Sequence, residues 1–366
     1  MELTWSECMC LHGLDAVRNR FSNSLSKLII IGSGFDLRMT VGVSALLQAA
    51  PHCRVLLVNY SEKQSVHNPA YTEERNRNVE KLKEICGNYL FEVNVEVWSR
   101  DIGATIVQKS MRSVISSTLI SDYDEIVVDI SAMPRIVSFN LIKRLLDLKK
   151  FPANRSKKMS ILVCENSSLD DGIKSIIGTG SPEFLQGLNS FVMDMEGTRA
   201  NTRVWFPILG LNEETTLQKI AKFLSPDETC PVLPFPSANV RREEEIVRRH
   251  GIELFTALEV EKRNIIYVPE NQPIVMYQKL CNTVSFYESA LNPFPGDSEI
   301  SYIFSSQGSK IMDIGVLMAI IDLLQNELTV GMAILENEGY DKSQAGYQPE
   351  NNELCCVCLD DNEYAW

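Results

Sequence analysis

The sequence predicts an α/β protein with two Rossmann-like parts, each a mostly parallel sheet with flanking helices. Short apolar runs rich in Ile, Leu and Val recur along the chain, and several of them end at glycine or small polar residues. Segments with helical periodicity separate these runs, and such alternation indicates crossover connections between parallel strands. The length of 366 residues also suits about two domains.

The first half of the chain carries five predicted strands. Their apolar runs are Lys27 to Ile31, Arg54 to Tyr60, VNVEVW ending at Trp98, Glu125 to Ile130, and Ser160 to Cys164. The predicted helices between them are MTVGVSALLQAA, the charged stretch from Thr72 to Cys86, IVQKSMRSVISSTLI and IVSFNLIKRLLDLKK. We therefore expect one doubly wound domain over residues 27–175, preceded by an N-terminal segment of residues 1–26.

The second half repeats this rhythm after a predicted link from Leu169 to Thr202, which is rich in glycine, serine and aspartate. Its predicted strands are Arg203 to Gly210, CPVLPFP, NIIYVP, SYIFSS and VGMAILE. Its predicted helices are ETTLQKIAKFL, EEEIVRRHGIELF and SKIMDIGVLMAIIDLL. These elements predict a second Rossmann-like domain over residues 200–340, with one continuous sheet across both halves as the alternative. The acidic, cysteine-containing tail of residues 341–366 is expected to be loosely structured.

Composition and charge narrow the class of protein. The 35 basic residues against 48 acidic ones give a net charge of −13, which argues against direct binding of nucleic acid. No apolar run approaches the roughly 20 residues that span a bilayer, and the N-terminus lacks the pattern of a signal peptide. We therefore expect a cytoplasmic protein without a membrane partner.

The ten cysteines are scattered, and several lie in apolar runs, as free thiols do in a reducing compartment. Cys8 and Cys10 near one end, with Cys355, Cys356 and Cys358 near the other, are the candidates for a zinc site. No C-x-x-C pair is present, and we expect no histidine at ligand spacing beside either cluster. No metal is therefore expected, and the identity of any other cofactor stays open.

The first candidate binding segment follows the first strand. Gly32, Ser33 and Gly34 are followed by Asp36 and Arg38. Glycines let a backbone approach a ligand, and the start of a helix offers N–H groups to an anion. The third glycine of the dinucleotide fingerprint is missing, and a tight turn whose glycines adopt positive φ is the structural alternative.

A second candidate segment follows the fourth strand, where Asp129, Ser131 and Arg135 lie within seven residues. An aspartate and an arginine thus recur at two strand ends. They can present a carboxylate to a ribose hydroxyl and a guanidinium to a phosphate, or form internal bridges, Asp36 with Arg135 or Asp129 with Arg38. Ser131 and Pro134 as caps of the following helix are a further alternative.

Candidate acids and bases are Asp36, Glu62 and Asp129, each at or just after a predicted strand end. No established catalytic signature accompanies them: G-x-S-x-G and H-E-x-x-H are both absent from the sequence.

The third candidate segment begins the most apolar helix of the second half. Ser305, Gly308 and Lys310 combine small polar residues, a glycine and a cation, which suits an anion cradle at the start of a helix. The spacing is not that of a Walker loop. A helix cap followed by a solvated lysine is the alternative.

Four motifs, GSGFDLR, VDISAMPR, PFPSAN and SSQGSK before an apolar helix, lie between residues 29 and 340. In this order they resemble an uncharacterised family of two-part Rossmann-like proteins associated with prokaryotic defence and mobile-element loci, for which no activity is established. The SSQGSK segment is also similar to the ring-nucleotide-sensing domains of CRISPR-linked proteins, with Gln307 in place of a glycine. The resemblance implies a sensor or accessory component of an antiphage defence system, with a protein partner or a second copy of the chain.

Three functions are consistent with these observations. The leading hypothesis is a protein that binds a small anionic, nucleotide-type ligand without catalysis. The second is an enzyme acting on a nucleotide or nucleoside with a strand-end carboxylate as acid or base. The third is a scaffold for a partner protein, in which the glycine turns are only turns.

Overall fold

The computed structural model describes residues 3–5, 8–61, 69–99, 101, 104–172, 174–176, 180–190, 201–291, 299–335, 339–341 and 347–360. The strands are β1 (Met9–His12), β2 (Lys27–Gly32), β3 (Arg54–Ser61), β4 (Leu90–Glu96), β5 (Trp98–Ser99), β6 (Ala104–Thr105), β7 (Glu125–Asp129), β8 (Lys158–Glu165), β9 (Lys174–Ile176), β10 (Glu183–Asn189), β11 (Asn201–Ile208), β12 (Glu228–Thr229), β13 (Val232–Pro234), β14 (Ile266–Val268), β15 (Glu299–Ser306), β16 (Thr329–Ile334), β17 (Gly339–Asp341) and β18 (Glu353–Cys358).

The α-helices are α1 (Leu14–Phe21), α2 (Val41–Ala49), α3 (Pro69–Cys86), α4 (Val107–Val114), α5 (Ser117–Ile120), α6 (Arg135–Lys149), α7 (Ser167–Gly172), α8 (Glu214–Leu224), α9 (Arg242–Ile252), α10 (Pro273–Leu291) and α11 (Lys310–Gln325). Short 3-10 turns lie at Leu37–Thr40, Gly87–Tyr89, Pro152–Asn154, Lys262–Asn264 and Pro349–Asn351, and a π turn lies at Glu253–Ala257.

The chain divides into two compact units. The first unit comprises Glu7–Asn166 and Gln348–Trp366, and the second comprises Met1–Ser6 and Ser167–Tyr347. Each unit contains its own large sheet, so the alternative of one continuous sheet is wrong for the described part of the chain. The protein is a mixed α/β protein with two mostly parallel sheets flanked by helices, as the sequence predicts.

The sheet of the first unit has the order β1-β18-β8-β7-β2-β3-β4. The five strands from β8 to β4 are parallel, and β18 and β1 add antiparallel pairs at one side. Counted along the chain, the parallel strands have the order 3-2-1-4-5 of doubly wound nucleotide-binding folds. All six residues of β2 are buried, as expected for a central strand covered on both faces. One core cluster joins Phe21, Ile29, Val43, Leu57 and Cys356.

The sheet of the second unit has the order β10-β16-β15-β11-β13-β14, with β12 beside β11. From β16 to β14 all pairs are parallel, and β10 pairs antiparallel with β16. In chain order the parallel strands are again 3-2-1-4-5. One core cluster of this unit joins Trp205, Leu217, Ile220, Leu254 and Ile303. Both units therefore present the same arrangement of strand ends to any ligand.

Two sequence expectations are wrong for the described residues, and several elements lie where none was predicted. The tail is not loosely structured where it is described, because β18 lies between β8 and β1 and residues 354–358 are buried. The predicted link contains β10, which is hydrogen-bonded to β16. The N-terminal segment contains β1 and α1, which pack in the first unit, and the long helix α10 was not predicted at all.

Among the described residues, no helix combines the length and the apolar composition needed to cross a membrane.

Candidate functional site

Ligands of open parallel sheets bind where neighbouring crossovers leave in opposite directions, at the carboxyl ends of the strands. In the first unit this switch point lies between β2 and β7, and in the second unit between β11 and β15. The structure places the predicted segments at these two edges. Gly32 to Arg38 and Asp129 to Arg135 follow neighbouring strands of the first unit. Ser305 to Lys310 spans the end of β15 and the start of α11 in the second unit, so the predicted residues form two groups.

The glycines of the first segment are needed for contact between two loops. A Cβ on Gly34 would overlap the backbone oxygen of Ala132, and a Cβ on Gly32 would lie 2.5 Å from Met133 Cγ. Neither Gly32 nor Gly34 is among the glycines with positive φ, so the alternative of a tight turn with positive φ at these glycines is wrong. The two strand-end loops thus pack directly on one another.

Asp36 and Arg38 form an ion pair inside their own loop. Arg38 Nε lies 3.0 Å from Asp36 Oδ1, and Arg38 Nη2 lies 2.7 Å from Asp36 Oδ2. The backbone N–H of Arg38 also donates to Asp36 Oδ1, which caps the turn at Leu37–Thr40. Side-chain exposure is 5% for Arg38 and 13% for Asp36, so both charges are largely removed from solvent. This geometry favours a structural role for the pair, and its role in binding stays a prediction.

Helix α3 contributes two side chains that sequence reasoning did not select. Arg75 Nη2 donates to Ser33 Oγ at 2.7 Å, and its guanidinium lies 5.4 Å from the ring centre of Tyr60. Asn78 Nδ2 donates to the backbone oxygens of Gly34 and Asp36, at 3.0 and 2.9 Å. Their three-residue spacing on a predicted helix places Arg75 and Asn78 on one face, and this is the sequence signal by which the pair could have been found.

Asp129 is fully buried and accepts hydrogen bonds from Ser131. The backbone N–H and the hydroxyl of Ser131 donate to Asp129 Oδ1, at 2.9 and 2.5 Å. The Ser131 hydroxyl in turn accepts from the backbone N–H of Cys164 at 2.8 Å. A Cβ on Gly42 would overlap Asp129 Oδ2, so this carboxylate lies against the first turn of α2. The position favours helix–sheet packing, and the acid–base role of Asp129 stays a prediction.

Ser131 does not cap the next helix. The N-cap of α6 is Pro134, without a side-chain hydrogen bond, and Arg135 is the first helical residue. Arg135 is half-buried there. Glu62, the third candidate acid or base, lies outside the described residues.

In the second unit, Ser305 and Gly308 serve the packing of the switch point. Ser305 Oγ accepts a hydrogen bond from Trp205 Nε1 at 3.0 Å, and both side chains are fully buried. A Cβ on Gly308 would lie 2.8 Å from Ile208 Cγ2, so the loop approaches β11 closely. Lys310 is the first residue of α11 and is partly exposed.

The same loop holds polar groups that the described part of the chain does not satisfy. Gln307 is 8% exposed, yet neither its side-chain oxygen nor its nitrogen has a hydrogen-bond partner among the described residues. The buried Oγ of Ser309 also has no hydrogen-bond partner among the described residues. Ser309 is the N-cap of α11 but makes no side-chain bond to the helix.

The side chain of His250, on α9, also lies close to this loop, because its ring contacts Gly210, just beyond the end of β11. Its Nε2 lies 2.9 Å from the backbone oxygen of Gly210, which identifies Nε2 as the protonated nitrogen. Nδ1 is then an acceptor, without a partner in the described ranges, although the side chain is 1% exposed. A Cβ on Gly210 would overlap the backbone oxygen of Gln307, so His250 and Gln307 flank one residue. We call His250, Gln307 and Ser309 the unsatisfied polar cluster.

Burial disfavours two described cysteines as nucleophiles. Burial raises the pKa of Cys164, which lies beside Arg38 and Asp129, and raises the pKa of Cys230 to about 11. Thiols held protonated in this way are weak nucleophiles at neutral pH.

The terminal cysteines meet a histidine, contrary to the sequence expectation. His12 Nε2 lies 3.4 Å from Cys10 Sγ, and His12 Nδ1 lies 3.2 Å from Cys355 Sγ. The expectation that no histidine stands at ligand spacing is therefore wrong. On a strand, a spacing of two residues places Cys10 and His12 on the same face.

No family model and no curated protein matches this chain. Among solved structures, a protein described as a universal stress protein of Pseudomonas aeruginosa UCBPP-PA14 is 10% identical, with 87% of this chain and 96% of that chain covered and a TM-score of 0.22. Phosphoethanolamine N-methyltransferase 1 of Haemonchus contortus, solved with phosphoethanolamine and S-adenosylhomocysteine, is 8% identical, with 94% and 91% covered and a TM-score of 0.17. Similarity this low does not indicate a function for this chain.

Proposed function

We propose that the protein binds a small anionic, nucleotide-type ligand at the switch point of its second unit, around the unsatisfied polar cluster. The observation that carries the proposal is Gln307, a nearly buried amide whose two polar atoms have no partner among the described residues. Ligands of doubly wound sheets bind at this edge.

The energetic cost of the cluster supports a ligand. Buried polar atoms in folded proteins are almost always hydrogen-bonded, and each one left unsatisfied costs about 1–3 kcal/mol. Within the described residues, four such atoms lie on His250, Gln307 and Ser309, at two neighbouring strand ends. A bound molecule that supplies donors and acceptors there recovers that cost.

The charge and chemistry of the edge favour an anion with hydrogen-bonding edges. The N-terminus of α11 carries the positive end of a helix dipole, and Lys310 adds a cation at its first residue. The carboxylate of Asp313 in the same turn accepts a hydrogen bond from the Ser306 hydroxyl, within the loop. His250 Nδ1 offers an acceptor, and the amide of Gln307 offers both donor and acceptor, as a nucleobase or a ribose requires.

The candidate catalytic carboxylates of the first unit favour binding without catalysis. The Asp36 carboxylate is held by Arg38, and Asp129 has no exposed surface. The wider role is part of the same proposal and rests on the family resemblance. It is that of a cytoplasmic sensor or accessory component of a prokaryotic defence system, acting with a protein partner.

The proposal is tested by calorimetric titration of the full chain with a panel of nucleotides, and with inorganic phosphate as the simplest anion. Gln307→Met removes the buried amide at similar volume, and we expect it to weaken nucleotide binding by about 10- to 100-fold. The unliganded variant is expected to be at least as stable as the natural protein, because a costly group is gone. Gln218→Met, on the exposed face of α8, is the matched control and should change neither quantity.

Two results overturn the proposal: no nucleotide in the panel binds, or Gln307→Met binds as tightly as the natural protein. Mass spectrometry of the same mixtures detects new products, and turnover supports the enzyme hypothesis instead.

A further inference from the structure

We propose that His12, Glu353 and Cys355 form a zinc site that fastens the N-terminal strand to the C-terminal strand of the first unit. The three residues come from opposite ends of the chain and meet because β1 pairs antiparallel with β18. His12 lies directly opposite Cys355 in that register, and Glu353 lies two residues before Cys355 on the same face. The site is independent of the proposed ligand site, which belongs to the second unit.

The distances between the donor atoms match a tetrahedral metal. His12 Nδ1 lies 3.2 Å from Cys355 Sγ and 3.7 Å from Glu353 Oε1. All three donor atoms lie within 4.8 Å of one another. Zinc bonds of roughly 2.0–2.3 Å at tetrahedral angles separate the ligand atoms by about 3.4–3.6 Å. Small side-chain adjustments therefore suffice to bring the three atoms onto one ion.

The donor set selects the metal. Thiolate with imidazole and one carboxylate suits zinc, whereas magnesium and calcium prefer oxygen ligands alone. When the Cys355 S–Zn bond forms, the thiol proton leaves to solvent. Side-chain exposure of 30% for His12 and 52% for Glu353 leaves the site open to solvent, so water completes the coordination.

Two neighbouring residues support the site. Cys10 Sγ lies 3.4 Å from His12 Nε2, and it accepts that N–H when Nδ1 binds the metal. Histidine ligands usually donate their second N–H in this way, which fixes the tautomer. Glu165 stands directly opposite Glu353 in the pairing of β8 with β18. Two like charges facing each other across a sheet are unfavourable, and a divalent cation bound to Glu353 offsets the negative charge of that carboxylate.

The experiment uses the full chain, freed of metal with a chelator and titrated with Co²⁺, then with Zn²⁺. We expect one equivalent of Co²⁺ to bind and to give a thiolate-to-cobalt charge-transfer band, which Zn²⁺ then removes. Zn²⁺ is also expected to raise the melting temperature, while Mg²⁺ changes nothing. The band and the metal content require no activity assay.

Variants identify the ligands. His12→Gln and Glu353→Gln change partly exposed side chains and should weaken Co²⁺ binding at least tenfold, the scale seen even for supporting residues of metal sites. His52→Gln, at an exposed histidine beside Tyr89, should bind as the natural protein does. Cys355→Ser should abolish the charge-transfer band, whereas Cys86→Ser, at a buried thiol of the same unit, should keep it.

Cys10→Ala separates a supporting role from a ligand role. We expect the band to remain at full intensity while the affinity for Co²⁺ falls about 10- to 100-fold. The proposal is overturned if the natural protein gives no band, or if His12→Gln binds Co²⁺ unchanged. Loss of the band in Cys10→Ala with retention in Cys355→Ser would overturn the assignment of Cys355.

Discussion

At the scale of single residues, the two switch points differ in how their polar groups are used. In the first unit, Arg38 satisfies Asp36, and Arg75 donates to Ser33. In the second unit, His250, Gln307 and Ser309 keep polar atoms without partners among the described residues. Polar groups that satisfy one another hold loops in place, whereas unsatisfied ones are available to a ligand. Four such atoms lie together at the second switch point, and this concentration is why we place the proposed ligand in the second unit.

The ion pair in the first unit gives a residue-scale prediction. Arg38→Ala leaves the largely buried Asp36 carboxylate without its bidentate partner, and we expect a loss of about 3 kcal/mol in the free energy of unfolding. Arg38→Lys should recover only part, because an ammonium cannot form both bonds. Denaturant unfolding measures the change. Arg112→Ala, at an exposed arginine on α4, is the control and should stay within about 0.5 kcal/mol of the natural protein.

If Arg38→Ala instead keeps its stability and loses affinity for nucleotides, the first unit holds the ligand. That outcome would restore the sequence interpretation of Asp36 and Arg38 as binding residues.

Residue pairing was also the part of the site that the sequence could not supply. The segments carrying Asp36, Asp129 and Lys310 were predicted at strand ends, and the structure places them there. Which arginine would pair with which aspartate depends on loop geometry that no periodicity encodes. The unsatisfied state of the Gln307 amide has no sequence signal, because it depends on which groups surround the side chain in the fold.

At the scale of elements, the central strands were predictable and the last one was not. The runs of β2, β3 and β7 consist of Ile, Leu and Val, which favour strands and are buried on both faces. In β18 the sequence is ELCCVC; its cysteines were considered as candidate zinc ligands, and the tail that contains them was expected to be loosely structured. Cysteine in such a run behaves as a small apolar residue. The side chains of residues 354–358 alternate between the two faces of the sheet and are buried on both.

The position of β18 gives an element-scale prediction. A chain ending at Asn352 lacks the strand that hydrogen-bonds β8 on one side and β1 on the other. We expect the first unit of that variant to lose its cooperative unfolding transition, because a buried edge becomes exposed and β1 loses its partner. Denaturant unfolding followed by circular dichroism measures this. A chain ending at Asp360 keeps β18, together with the ion pair between Lys149 and Asp360, and should unfold as the natural protein does.

A chain that ends at Asn352 and still shows the cooperative unfolding transition of the first unit would contradict this role of β18.

At the scale of the whole molecule, most of the second unit is a sequence insertion between two segments of the first unit. Residues 167–347 leave the first unit after Asn166 and return to it at Gln348. Asn166 Nδ2 donates to the backbone oxygen of Gln348 at 2.9 Å and to Asn352 Oδ1 at 2.8 Å. The residue at which the chain leaves the first unit and the residue at which it returns are therefore adjacent. The sequence predicted two halves of related layout but treated them as consecutive, since strand patterns do not reveal which segments share a sheet.

This adjacency predicts that the first unit folds without the second. In a chain that starts at Glu7, with residues 167–347 replaced by two glycines, all seven strands of the first sheet and its 3-2-1-4-5 parallel core are present. Because Asn166 already touches Gln348, the short linker closes the gap without strain on β8 or β18. We expect one cooperative unfolding transition with an α/β circular dichroism spectrum.

The same excised chain should also bind Co²⁺ through His12 and Cys355, while nucleotide binding should be absent. An excised chain that also ends at Asn352 is the matched control and should not fold. Aggregation of the complete excised chain, or a gradual transition in denaturant, would show that the first unit needs the second to reach its fold.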